Sequence, residues 1–208
     1  MSTDTAIEGD SDSDSDQIQM IDFTKFTHFA DTPYDEKLKF VQPPQIGMKP
    51  NGLWFAPSND WIEWCKETGF FPRTYHYQYG IESIDSSRIL RILTIKDVEN
   101  CIEKYRIITP WGTKYLNWHQ ICKDFTGIFI SYSQLYGKTF NLKYEPFDGL
   151  ICSLDVDSLV IWDPSIFRLK LLKHCETGIY GADPDPVADA ITAAKVAETD
   201  EMLEKLFI

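Results

Sequence analysis

Lys49-Pro50-Asn51-Gly52-Leu53-Trp54-Phe55-Ala56-Pro57-Ser58 runs directly into Asn59-Asp60-Trp61-Ile62-Glu63-Trp64-Cys65. A turn, a strand and a helix start are packed into this one stretch. Asn51-Gly52 is a turn dipeptide, and Leu53-Trp54-Phe55 is aromatic-rich in the way of a strand. Ser58-Asn59-Asp60 then opens a helix. Asp60 and Glu63 have the spacing of a capping box, and Trp61, Trp64 and Cys65 fall on one helical face. Gly69 ends it. A strand that gives way so quickly to a helix predicts an α+β body built of short elements.

The same alternation continues on both sides. Upstream, residues 25–29 read as a strand. Residues 34–41 are compatible with one or two helical turns, which Pro43-Pro44 interrupts. Downstream, residues 73–79 place Tyr75, Tyr77 and Tyr79 on one side and His76 and Gln78 on the other, a strand with period two. Residues 87–93 form another strand. Thr94, with Asp97 three later, caps a helix over 95–105 with the stripe Val98, Ile102 and Tyr105. Pro110-Trp111-Gly112 is a loop. Asn117 caps a short helix whose apolar face is Trp118, Ile121, Cys122 and Phe125. Strands are expected at 127–131, 149–153 and 158–162, the last two separated by the acidic turn Leu154-Asp155-Val156-Asp157. Asp163-Pro164-Ser165 turns the chain into a final strand over 166–172.

Charge divides the chain into three. The net charge is −12, but residues 1–20 hold six acidic and no basic residues, and residues 183–208 hold seven acidic and two basic ones. The body, residues 21–182, is left at −1 and is read as a single domain. Residues 1–20 end their acidic run in Ser11-Asp12-Ser13-Asp14-Ser15-Asp16. Such a segment repels itself and buries little, so a disordered acidic tail is expected. Residues 183–208 are Ala- and Glu-rich from Val187 on and should be a helical segment. The tails read as solubilising segments or as the place where a protein partner is recruited.

A near-neutral body lacks the basic footprint of a duplex nucleic-acid binder. Aromatics make up 14% of the chain and nearly all lie in the body, enough to build a core without disulfides or metal. Five cysteines, an odd number with no C-x-x-C pair, read as reduced thiols of a cytoplasmic or nuclear protein. No basic and apolar leader opens the sequence, and no apolar run approaches about 18 residues, so neither secretion nor a membrane span is expected.

Familiar chemical motifs fail on inspection. Gly137-Lys138-Thr139 looks like the end of a phosphate-binding loop, but Tyr132 stands where that loop needs glycine. His119 and Cys122 share a helix face without the further ligands a zinc site requires, so no metal is expected. Trp54, Trp61 and Trp64 offer a stacking surface for a base. Their placement on strand and helix faces fits a core better.

Three separated segments have a recognisable look when taken together. They are Phe26-Thr27-His28-Phe29-Ala30-Asp31, the stretch from Lys49 to Ser58, and Phe147-Asp148-Gly149-Leu150 through Asp157-Ser158-Leu159-Val160-Ile161-Trp162-Asp163-Pro164-Ser165-Ile166. They resemble the ADP-ribosyltransferase-like superfamily over residues 25–172. They are also similar to an uncharacterised group of phage and bacterial proteins with K-P-x-G-L-W and W-D-x-x-S-x-x-I-W segments. The resemblance implies a split mixed or antiparallel sheet with short flanking helices, and NAD as substrate in a cleft between strands.

By position, the resemblance assigns His28 to hold the cofactor. It places Phe55, or nearby Ser58, at the second site strand, with Trp54 and Tyr75 completing the cofactor-binding set. The third position falls at Asp157 or Ser158. The family usually has Glu there, to stabilise positive charge on the ribose as nicotinamide leaves. Here Asp155 or Asp157 would supply the carboxylate. Phe29 after His28, Phe55 in place of Tyr, and the missing Glu all depart from the family pattern. Two functions therefore stay open. One is NAD-dependent ADP-ribosyl transfer to a protein or nucleic acid by a degenerate member. The other is a non-enzymatic nucleotide- or protein-binding module with regulatory acidic tails.

Overall fold

The computed structural model describes residues 21–41, 49–70 and 74–179. The expected acidic tail at 1–20, the Pro43-Pro44 break and the helical segment at 183–208 lie outside them. The described part is α+β, with a large mixed sheet and few helices. Its strands are β1 (Phe26–Ala30), β2 (Leu53–Pro57), β3 (Tyr77–Ile84), β4 (Ile89–Ile92), β5 (Arg106–Ile108), β6 (Lys114–Leu116), β7 (Gly127–Ile130), β8 (Ser158–Ile161) and β9 (Phe167–His174). Its helices are α1 (Asp60–Thr68), α2 (Ile95–Tyr105), α3 (Trp118–Asp124), α4 (Tyr132–Leu135) and α5 (Phe147–Cys152).

Seven strands form one sheet in the order β4-β7-β8-β2-β1-β3-β9, and β5-β6 form a separate hairpin. Only β4 and β7 run parallel. The join between β1 and β2 is short: Phe26 pairs with Pro57 and Thr27 with Ala56, and there the ladder stops. The sheet therefore has two halves that meet at one end and part at the other. Phe26, Ile81 and Phe167 of one half pack against Leu53, Phe55, Phe129, Leu159 and Ile161 of the other. The opposite face of β7 and β8 is covered by α2, α3 and α5 through Val98, Ile102, Ile121, Phe147, Leu150 and Ile151. β7 and β8 are thus buried on both faces. Each such side chain contributes about 1.5–3 kcal/mol.

Several elements follow the sequence closely. Thr94 and Asp97 make both bonds of a capping box at the start of α2. Asn117 accepts from the Gln120 amide at the start of α3. Gly69 ends α1 with φ at 70°, a left-handed conformation that glycine adopts without cost. The strand expected at 73–79 begins only at Tyr77 and runs on to Ile84, with Arg73 outside the described residues; Tyr77 and Tyr79 lie on one face of it, their rings stacked at 6.2 Å.

Other elements need correction. Residues 149–153 are not a strand: they fall in α5 and the turn after it. Phe147, Leu150 and Ile151 stand three and four apart and are all fully buried on one side. A short apolar run carries both periods, and packing chose the helical one. The capping box of α1 is not made, because Asn59 is the N-cap and its side-chain oxygen accepts from Gln78 Nε2 at 3.0 Å. The core side of α1 is Ile62 and Cys65, whereas Trp61 and Trp64 are half-buried and stack on each other at 5.3 Å. Residues 34–41 form a turn held by the Asp35 carboxylate on the Lys37 amide at 2.8 Å, without a helix. The loop at 110–112 is the tip of the β5-β6 hairpin. No helix among the described residues is long and apolar enough to cross a membrane.

Candidate functional site

Where the two halves of the sheet part, they leave a cleft of about 790 Å³. This lies within the ordinary range for small-molecule sites, roughly 300–1,000 Å³. His28, Trp54, Phe55, Tyr75, Asp155 and Ser158 all line it. They come from β1, β2, the approach to β3, the α5–β8 turn and the first residue of β8, segments far apart in the chain.

His28 stands just past the last β1–β2 pair. Its Nδ1 lies 2.8 Å from the Trp54 carbonyl oxygen. A carbonyl only accepts, so Nδ1 carries the proton and Nε2 keeps the lone pair. Nε2 has no hydrogen-bond partner among the described residues. Burial pushes the pKa of His28 down, against the smaller opposing effects of the Trp54 carbonyl and the Asp31 charge. The ring is therefore a neutral acceptor at neutral pH.

Phe55 is a buried wall, 5.6 Å from the His28 ring and edge-on to Phe167 at 6.0 Å. Trp54, on the other side of β2, is half-buried with the Lys49 ammonium 5.3 Å from its ring centre. Tyr75 is buried, and its hydroxyl accepts from Trp61 Nε1 at 3.1 Å.

The acidic turn before β8 separates its residues. Asp155 is half-buried in the cleft wall. Burial pushes its carboxyl up, and the charge of Lys49 pulls it down by less. Ser158 is buried and donates to the Val156 carbonyl at 2.9 Å, so its hydroxyl is engaged. Asp157 is absent from the cleft lining. It accepts from the Ser133 amide at 2.8 Å and from the Ser131 hydroxyl at 3.4 Å, which ties β8 to the start of α4. Ser58 is also outside the lining. It is exposed at the β2–α1 corner with φ at 46°, its carbonyl accepting from the Thr27 hydroxyl and its amide donating to Lys25.

Sequence reasoning did not single out Asp31, Tyr34, Asp35, Lys49 and Phe70, which also line the cleft. Lys49 opens the stretch from Lys49 to Ser58, two residues before the Asn51-Gly52 turn. The segment from Asp31 to Asp35 has no periodicity to locate it. Among the described residues no group of three or more metal-ligating side chains occurs. The arrangement offers a neutral nitrogen acceptor, a partly desolvated carboxylate, one ammonium and aromatic walls. That set suits binding a polar aromatic ligand and countering positive charge that develops on it.

Compared with known proteins, the chain matches no family model, no curated protein and no solved structure.

Proposed function

We propose that the cleft binds NAD, and that the protein transfers the ADP-ribose unit to a protein or nucleic acid as an ADP-ribosyltransferase-like enzyme. One observation carries this reading: His28, Phe55 and Asp155, from three segments distant in sequence, line a single cleft where the sheet divides. In the reaction the bond between nicotinamide and ribose breaks, and its electron pair leaves with nicotinamide. Positive charge then grows on the ribose carbon. A carboxylate held beside it in a partly desolvated site lowers the energy of that state, and of the three aspartates that line the cleft Asp155 is the half-buried one, Asp31 and Asp35 being exposed. The acceptor supplies a lone pair to the ribose carbon and gives up a proton. His28 Nε2 is available to accept from a ribose hydroxyl, and the aromatic walls offer faces to nicotinamide or adenine.

The test is direct. The full chain is incubated with NAD labelled in its adenylate part, with and without cell extract. Nicotinamide release and label transfer are measured for wild type, Asp155→Asn and His28→Ala. Release by wild type and its loss in both variants supports the reading. Absence of nicotinamide and of transfer from wild type removes it.

A second reading has its own support: among the described residues the cleft lining contains no glutamate. Asp is one methylene shorter, and a displacement near 1 Å costs roughly 100-fold in rate. On this reading the cleft binds the nucleotide without cleaving it. Tight binding of ADP-ribose with no nicotinamide release distinguishes it.

A further inference from the structure

Lys49 is the one lysine or arginine among the described residues that line the cleft. Its position is set by its neighbours. Pro50 is buried. Gly52 is pressed so closely onto β8 that an added Cβ would lie 2.7 Å from Val160 Cγ1 and 2.8 Å from the Ile161 carbonyl oxygen. The turn is thus seated on the sheet, and Lys49 is held at its start. The ammonium sits 5.3 Å from the centre of the Trp54 ring, an arrangement that favours a cation over the ring face.

We propose that Lys49 is the diphosphate-binding residue of this cleft, the group that selects nucleotides bearing a pyrophosphate over nucleosides. The inference rests on the nucleotide reading above. Lys49 forms no salt bridge within 4.0 Å among the described residues, and Asp155 is the charge that acts on it. Burial lowers its pKa, and Asp155 partly restores it. Lys49 is exposed at the cleft, and an ammonium with no bonded anion gains from a phosphate oxygen, because charge-assisted hydrogen bonds are the strong ones. The neutral His28 adds no competing cation, so selectivity for the doubly charged diphosphate falls on Lys49. Asp155 shares its field with Lys49, so an arriving diphosphate takes over part of the ammonium and leaves the carboxylate free to face the ribose.

Calorimetric titration of the full chain tests this with two probes, ADP-ribose and adenosine. In Lys49→Gln, ADP-ribose should bind about tenfold more weakly or worse, as expected for a lost charged hydrogen bond. Adenosine should bind as it does to wild type, and Lys49→Arg should retain most of the ADP-ribose affinity. Inorganic pyrophosphate should displace ADP-ribose from wild type and leave adenosine bound, a measurement that does not depend on any variant folding. Equal ADP-ribose affinity in wild type and Lys49→Gln overturns the inference, as does failure of pyrophosphate to compete. In both cases the nucleotide reading survives through adenosine. If wild type binds neither probe, the nucleotide reading falls and this inference with it.

Discussion

The Nδ1 of His28 lies 2.8 Å from the carbonyl oxygen of Trp54, at the place where β1 and β2 cease to pair. A side chain here takes over the joining of two strands from the backbone. The bond therefore extends the β1–β2 join past its last backbone pair and fixes the tautomer of the imidazole that faces the cleft. Replacing His28 by Ala should lower stability by about 1–2 kcal/mol in urea denaturation. ADP-ribose affinity should fall in the same variant. Unchanged stability together with unchanged affinity would show that this bond does neither job.

The pH dependence follows from the same histidine. Its folded pKa lies below the ordinary value of 6.5. Above 6.5 the ring is neutral in both states and its contribution to stability is fully present. As pH falls below 6.5 the unfolded chain takes up the proton first, so stability declines until the folded pKa is passed. Thermal unfolding followed from pH 7 to about pH 5 should therefore show a steeper loss for wild type than for His28→Gln. Parallel profiles would mean that His28 is not held neutral by burial.

The two aspartates of the turn before β8 should behave differently. Asp155 pays for its place in the cleft wall with a carboxyl that burial pushes up. Asp155→Asn should leave stability unchanged or slightly raised while nicotinamide release disappears. Asp157 accepts from the Ser133 amide at the start of α4. Asp157→Asn should weaken that link, costing about 1 kcal/mol, with nucleotide binding retained. Denaturation and nicotinamide release on the two variants separate the roles. The reverse pattern would place the working carboxylate at 157.

Gly52→Ala tests the seat of the Lys49 turn. The new methyl would meet the backbone oxygen of Ile161 at 2.8 Å as well as the Val160 side chain. Backbone of an internal strand yields little, so a loss of about 1–3 kcal/mol is expected. ADP-ribose affinity should fall with it, because Lys49 and Trp54 flank the turn. A variant as stable as wild type would mean that the turn can lift off β8.

What could be seen in the sequence depended on how local its cause is. The α2 start was legible because Thr94 and Asp97 bond each other across one turn. The end of α1 was legible because Gly69 alone supplies the left-handed residue. The run from Phe147 to Cys152 was not, since its period is settled by Phe147, Leu150 and Ile151 docking beneath a sheet assembled from distant segments. The pairing of Asn59 with Gln78, which removes the expected cap, is likewise a contact between separate elements. The site divides in the same way. His28, Trp54, Phe55, Tyr75, Asp155 and Ser158 line one cleft, whereas Ser58 and Asp157 do not. Whether Asp155 or Asp157 faces it turned on the Ser131–Ser133 contact across β7 and β8, which spacing does not reveal. Lys49 and the Asp31–Asp35 segment enter the cleft only because the sheet divides there.

Release of nicotinamide from NAD, measured side by side for wild type, Asp155→Asn and Asp157→Asn, tests the central claim most directly. The expected result is release above the uncatalysed background by wild type and by Asp157→Asn, with Asp155→Asn at background. Background release by wild type, or equal release by wild type and Asp155→Asn, would contradict it.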